Sequence, residues 1–331
     1  MATALLEVWR GPVVECRHYG AVVVADARGG LIARAGTPEL PTYLRSAAKP
    51  FQALPLITSG AAEAFDLTSE ELAICASSHS GEPIHLAVVS GLLAKLGLDA
   101  TALQCGAVPP IDREAAARIE AGTLAPTPLH CDCSGKHAGM LAVCRHRGEP
   151  IESYRDPGHP LQQEIAGVMS DFLGLPERAI PRGIDGCGVP TFAAPLARIA
   201  AAWAGLAAPR PGPSRAAATR VLDAMAAHPY LVAGRGRVDT DLMECTQGAV
   251  VAKAGAEGVL CLALRERGWG VAIKIEDGSF RGMAAIAALT LRQLNLIDDA
   301  AIARLLERQP LAVRNNTGVA VGEVRPAFTL R

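Results

Sequence analysis

What most constrains the fold of this 331-residue chain is where its two kinds of periodicity fall, with strand-like runs at both ends and helix-like runs between them. Leu6 to Val14, Ala21 to Ala25 and Leu31 to Ala35 are rich in aliphatic and β-branched residues, and Asp26-Ala-Arg-Gly-Gly30 supplies a turn before the last of them. This is the pattern of a hairpin. The final third repeats it at Gly248 to Lys253, Gly258 to Leu264 and Gly270 to Ile275, punctuated by Ala254-Gly255 and Glu276-Asp277-Gly278. An amphipathic helix from Gly282 to Leu294 follows.

The middle reads differently. Leu86 to Leu96, Arg113 to Ala121, Gly139 to Arg147 and Gln162 to Leu173 carry helical spacing, and alanine-rich helices continue at Ala194 to Ala208 and Ser214 to Ala227. Strands at both ends around a helical middle predict an α+β fold: one antiparallel sheet built from both chain ends, with a helical lobe from the middle. No strand leads into a G-x-G-x-x-G loop, which excludes a dinucleotide-binding reading. The Pro-rich stretch Ala207 to Ser214 has the length of a surface loop rather than a linker, so residues 1–331 read as one unit.

Composition narrows the partners. Half of the residues are hydrophobic and 20% are charged, enough to bury a large core. A formal charge of −1 and the absence of Lys/Arg runs argue against nucleic acid and anionic membranes and favour a small neutral or zwitterionic ligand. No stretch offers 18 continuous apolar residues and the start lacks an export signal, which predicts a cytoplasmic protein. Nine cysteines in such a chain predict reduced thiols, with Cys16, Cys75, Cys144, Cys245 and Cys261 as small core residues.

Only five of the 32 basic residues are lysine, and three of them sit in unusual surroundings. A lysine, unlike an arginine, can lose its proton when desolvated, so lysines kept against an arginine background point to base chemistry or metal ligation. Ser46-x-x-Lys49 places a hydroxyl and an amine one helical turn apart, as in acyl-transfer sites that pair serine with lysine. The same spacing also describes a capping serine and a surface lysine. Lys253-Ala254-Gly255 lies at a late strand end, where Ser-Lys acyltransferases carry a second lysine, or where an ordinary solvated lysine would sit. Ser77-Ser78-His79-Ser80-Gly81-Glu82 reads either as an active-site loop or as a polar capping turn. His130-Cys131-Asp132-Cys133-Ser134-Gly135-Lys136-His137 and Ile184-Asp185-Gly186-Cys187-Gly188-Val189-Pro190 hold groups that suit zinc, though without the paired C-x-x-C spacing. The acidic residues of Val238-Asp239-Thr240-Asp241 either cap a helix or line the site.

Taken together, Arg45-Ser46-Ala-Ala-Lys49-Pro50, Ser77 to Glu82, Cys133-Ser-Gly-Lys136-His137-Ala-Gly-Met140, Asp185-Gly-Cys187-Gly-Val-Pro190, Gly234-Arg-Gly-Arg237 and Lys253-Ala-Gly-Ala-Glu-Gly258 resemble the asparaginase II family, the rhizobial-type or class 3 L-asparaginases. The resemblance implies a serine β-lactamase-like fold and a homodimer that hydrolyses L-asparagine to L-aspartate and ammonia. It implies two Ser-Lys pairs, Ser46 with Lys49 and Ser78 with Lys253. It also implies one zinc ion per chain on Cys133, Lys136 and Cys187, and substrate contacts from Arg45, His137 and Asp185. On this reading Ser46 is the nucleophile, Lys49 its base, and Ser78 with Lys253 returns the proton to the leaving amine. Two alternatives remain: another serine acyl hydrolase of the β-lactamase or peptidase kind, and a catalytically silent binding protein.

Overall fold

The computed structural model describes residues 3–209 and 211–331; Met1, Ala2 and Arg210, the last within the Pro-rich stretch, lie outside the described residues. The strands are β1 (Thr3–Arg10), β2 (Val13–Asp26), β3 (Leu31–Ala35), β4 (Pro41–Tyr43), β5 (Arg182–Ile184), β6 (Pro190–Pro195), β7 (Val250–Gly255), β8 (Val259–Leu264), β9 (Trp269–Ile275), β10 (Ala312–Arg314) and β11 (Ala320–Pro326). The large sheet runs β10-β11-β1-β2-β9-β8-β7, with β3 also on β2 and every pairing antiparallel. The two chain ends meet where β1 pairs with β11, Trp9 opposite Glu323. The fold is therefore α+β, with an antiparallel sheet from both ends. A smaller sheet, β4-β6-β5, joins the start of the helical lobe to the chain near residue 190.

Several boundaries differ from the sequence expectation, each for a local reason. Leu6 to Val14 is not one strand, because the chain reverses at Gly11, whose φ is +54°, before Pro12. Ala254-Gly255 is not a turn: both residues stay in β7, Gly255 opposite Val259, and the reversal falls one residue later. Cys16 is exposed rather than in the core, because it lies in the first half of β2, most of which faces solvent. The helix Asp299–Arg308 and the hairpin β10–β11 were not expected, since β10 and β11 form a largely exposed edge without an apolar alternation.

The helical lobe holds Ser69–Cys75, Pro83–Lys95, Arg113–Glu120, Ser134–Arg147, Pro160–Leu173, Leu196–Ala207 and Pro213–Ala227, with Val238–Cys245 leading back to β7. His159, a residue without an obvious partner in the sequence, caps Pro160–Leu173: its Nδ1 accepts from Leu161 N–H at 3.2 Å. Leu196–Ala207 packs across β2, β8 and β9, where its alanines keep helix and sheet close. Trp203 of this helix meets Phe51 edge-on at 6.1 Å, and Phe51 meets Phe172 at 5.1 Å. Full burial of Phe51 contributes roughly 1.5–3 kcal/mol and anchors the segment that carries Ser46 and Lys49. No helix among the described residues is long and apolar enough to cross a membrane.

Candidate active site

After β4, the chain enters a short 3₁₀ turn, Arg45–Ala48, which runs directly into the helix Lys49–Gln52. Arg45 has a φ of +51°, a left-handed conformation that costs a non-glycine residue roughly 1–2 kcal/mol. The bend leaves Ser46 half-buried while Lys49 is 1% exposed. The end of β7 closes on this turn. A Cβ on Gly255 would fall 2.5 Å from Leu44 O, so only glycine allows Lys253-Ala254-Gly255 to lie so near Ser46.

Lys49 crosses to the loop after Ser69–Cys75, and its Nζ donates to Ser78 Oγ at 2.7 Å. That loop is pinned by Ser78 N–H to Val232 O at 2.9 Å and Ser80 N–H to Ala233 O at 2.7 Å. The helix Ser134–Arg147 backs the loop closely, since a Cβ on Gly135 would lie 2.2 Å from Ile74 O. His79 is fully engaged: Nδ1 accepts from Gly81 N–H at 3.1 Å, and Nε2 is 2.8 Å from Ser134 Oγ. Its role is to hold the loop.

The resemblance pairs Ser46 with Lys49, whereas here Lys49 hydrogen-bonds Ser78. The Asp132 carbonyl oxygen lies 3.4 Å and its carboxylate 3.6 Å from the same Lys49 Nζ. Burial lowers the proton affinity of Lys49, but the charges of Cys133 and Asp132 outweigh it and leave the group above the usual lysine range.

Lys253 is completely buried and bonds to Asp239 Oδ1 at 3.2 Å and Ala254 O at 2.9 Å, not to Ser78. Burial pushes it down to about 8; Asp239 opposes this, and the Lys49 and Arg237 cations add to it. Asp239, left open by sequence between capping and lining the site, is thereby placed against Lys253. Its own affinity is raised by burial, but the Lys253 and Arg237 cations hold it below the usual range. Arg237 Nη1 reaches Ser78 O at 3.4 Å.

Cys187 sits at the turn between β5 and β6, and Lys136 Nζ lies 2.9 Å from its Sγ. Cys133, at the start of Ser134–Arg147, is within hydrogen-bonding reach of both Cys131 and Cys187, and these contacts pull its thiol well below the usual range. Cys187 is pushed up by the same contact with Cys133 and by burial, so one negative charge rests on the pair and chiefly on Cys133. Lys136 is lowered by burial yet raised overall by those sulfurs. Two soft sulfurs and an amine converging in a buried place form a donor set that suits zinc, with a fourth position left over. Cys131 and Asp132, part of the segment from His130 to His137 that suits zinc by its residue types but outside the ligand set the resemblance implies, cluster with Cys133.

Arg45 and Asp185 meet each other, Nε to Oδ1 at 2.8 Å, beside Ser46. The turn that carries Cys187 also carries Asp185. His137 is buried, with Nδ1 2.6 Å from Tyr154 Oη and Nε2 without a partner among the described residues. Tyr154 had no sequence motif to reveal it.

A half-buried hydroxyl lies here near buried amines, groups able to serve nucleophilic and acid–base chemistry. The sequence pattern of the L-asparaginase II family matches residues 6–326, nearly the whole chain, and the chain belongs to that family. No curated protein matches it. Among solved structures, a protein named Mglu in its native form is similar at 16% identity and a TM-score of 0.46, over 85% of this chain but only 66% of that one. A β-lactamase from Mycobacterium bovis is similar at 15% identity and a TM-score of 0.42, over 83% of this chain and 94% of that one. A probable glutaminase from Bacillus subtilis, complexed with 6-diazo-5-oxo-L-norleucine, is similar at 13% identity and a TM-score of 0.36, over 84% of each chain.

Proposed function

We propose that this chain hydrolyses L-asparagine to L-aspartate and ammonia through an acyl-enzyme, as one catalytic unit within a cytoplasmic homodimer. The observation that carries this reading is the buried Lys49–Ser78 contact of 2.7 Å beside the Ser46 turn, inside a family match that spans the chain. Ser46 is the nucleophile: it is the more exposed serine, and the strained Arg45 sets its approach. A zwitterionic substrate inserts between Arg45, which takes the α-carboxylate, and Asp185, which takes the ammonium group, while His137 offers a further polar contact.

Proton affinities support a division of labour opposite to the one that Ser-x-x-Lys spacing implies. Lys253, pushed down to about 8 and two residues from Gly255, which packs on the Ser46 turn, is the amine assigned on this reading to accept the serine proton. Lys49 starts charged and, through Ser78, hands its proton to the leaving nitrogen, regaining one from the water that cleaves the ester while Lys253 returns a proton to Ser46. Water then cleaves the ester and releases aspartate. Cys133, Lys136 and Cys187 would hold one zinc ion, whose positive charge, when bound, offsets the thiolates and favours an anionic substrate group.

The direct contact with Lys49 favours a second reading, in which Ser78 carries the acyl group. Acid quench during turnover followed by peptide mapping tests both. An aspartyl ester on the peptide bearing Ser46 supports the first reading and an ester on Ser78 the second. Ammonia release from asparagine with no adduct, no hydroxamate in the presence of hydroxylamine, and an active Ser46→Ala variant would sink acyl-enzyme chemistry at Ser46. A silent binding protein would be stabilised by asparagine without releasing ammonia.

A further inference from the structure

A cleft of about 400 Å³ opens beside the site, and the amide nitrogen of asparagine gives it nothing to hold. Ammonia needs roughly the space of one water molecule, about 30 Å³, more than tenfold less. Part of the cleft's wall is made of residues in contact with Lys253 or Ser78. Asp239 and Ala254 are the partners of Lys253 Nζ, and Arg237 reaches Ser78 O. Ile111, next to Asp112, whose N–H donates to Ser80 O at 2.8 Å, also lines it. The cleft therefore shares Arg237 and Asp239 with the surroundings of Ser78 and Lys253.

The walls define what would fit. Phe280 and Met283 are apolar, and Phe280 and Ile111 are large hydrophobic residues left 45% and 49% exposed. Apolar surface held open around a concave space marks a ligand site. Arg237 supplies the charge. A guanidinium has five N–H donors, and among the described residues its only hydrogen bond is the long one to Ser78 O. A group that attaches to an amide nitrogen, carries a carboxylate for Arg237 and brings an apolar side chain is an α-amino acid.

We propose that this cleft is a leaving-group subsite, and that the enzyme also hydrolyses β-aspartyl dipeptides whose second residue is apolar. This rests on the reading above, in which the β-carboxamide lies at Ser46. Ser46 Oγ bonds to the β-carbonyl carbon as the C–N bond breaks. The serine proton is balanced by the proton delivered to the departing amino group. Water then cleaves the ester to give aspartate and restore the serine, so that dipeptide and water yield two amino acids.

The test compares β-aspartyl-leucine, β-aspartyl-glycine and L-asparagine on the full-length enzyme, with released leucine, glycine and ammonia quantified. The expected kcat/KM for the leucine compound exceeds that for the glycine compound by about tenfold or more, because the Leu side chain is buried in the cleft. Arg237→Gln and Phe280→Asp should each lower the ratio of β-aspartyl-leucine to asparagine turnover by about tenfold. Asparagine turnover with no hydrolysis of β-aspartyl-leucine and no competition by it overturns the subsite, as do unchanged ratios in both variants. If asparagine itself is not hydrolysed, calorimetry with β-aspartyl-leucine decides. Binding that Arg237→Gln weakens supports the subsite while refuting the catalytic reading, and absence of binding refutes both.

Discussion

Lys253 gives the sharpest prediction, because its proton affinity decides when the site can work. Held near 8 by burial, it is deprotonated in about a tenth of molecules at pH 7, half at pH 8 and nine-tenths at pH 9. If the neutral amine accepts the serine proton, kcat/KM for L-asparagine must rise with pH, approaching tenfold per unit below the midpoint and levelling above it. The sign is specific: a lysine used as a cation would give activity that falls through the same range. Asp239→Asn then moves the limb in a defined direction. The Asp239 charge favours the ammonium form, so removing it lowers the affinity of Lys253 and shifts the rising limb to lower pH. The assay is ammonia release between pH 6 and pH 10 at constant ionic strength, with circular dichroism to verify folding. A profile that is flat or descending through pH 8, or a limb that moves upward in a folded Asp239→Asn protein, would refute the assignment.

Further outcomes follow from the same geometry. Lys49→Arg keeps the charge but neither yields nor accepts a proton near neutrality, so activity should fall at least about 10²-fold with an unchanged circular dichroism spectrum; near-normal turnover would remove Lys49 from the proton path. Elemental analysis of protein purified without chelator should find close to one zinc per chain, lost in Cys187→Ala and declining as pH falls, because each ligand must be deprotonated to bind. Metal-free wild-type protein would count against the site. Gly255→Ala places a methyl group 2.5 Å from Leu44 O, so urea unfolding should report a loss of about 1–3 kcal/mol together with lost activity; an undisturbed midpoint would show that β7 does not lock the Ser46 turn.

Much of this protein was legible in its residues because the signals are local. β3 was read to the residue, since Leu31 to Ala35 follows a strong turn, and β8 and β9 to within a residue, since uninterrupted aliphatic runs leave few other conformations. Lysine scarcity picked out Lys49, Lys136 and Lys253 as residues with a task, and all three are buried. Cys133, Lys136 and Cys187, grouped by the family resemblance, lie together in the fold, although 51 residues separate Lys136 from Cys187.

What the chain alone could not supply is partnership. Ser46 and Lys49 lie three residues apart, yet Lys49 bonds to Ser78 with Asp132 alongside, and Lys253 bonds to Asp239. The reason is electrostatic and nonlocal. In a buried site each ammonium settles against whichever acceptor the folded chain brings within a few ångströms, because leaving it unpaired there is costly. Spacing along the sequence therefore named the groups and their chemistry. Tertiary packing decided which acceptor each amine meets, that burial pushes Lys253 down while neighbouring charges hold Lys49 up, and that a partly apolar cleft opens beside them.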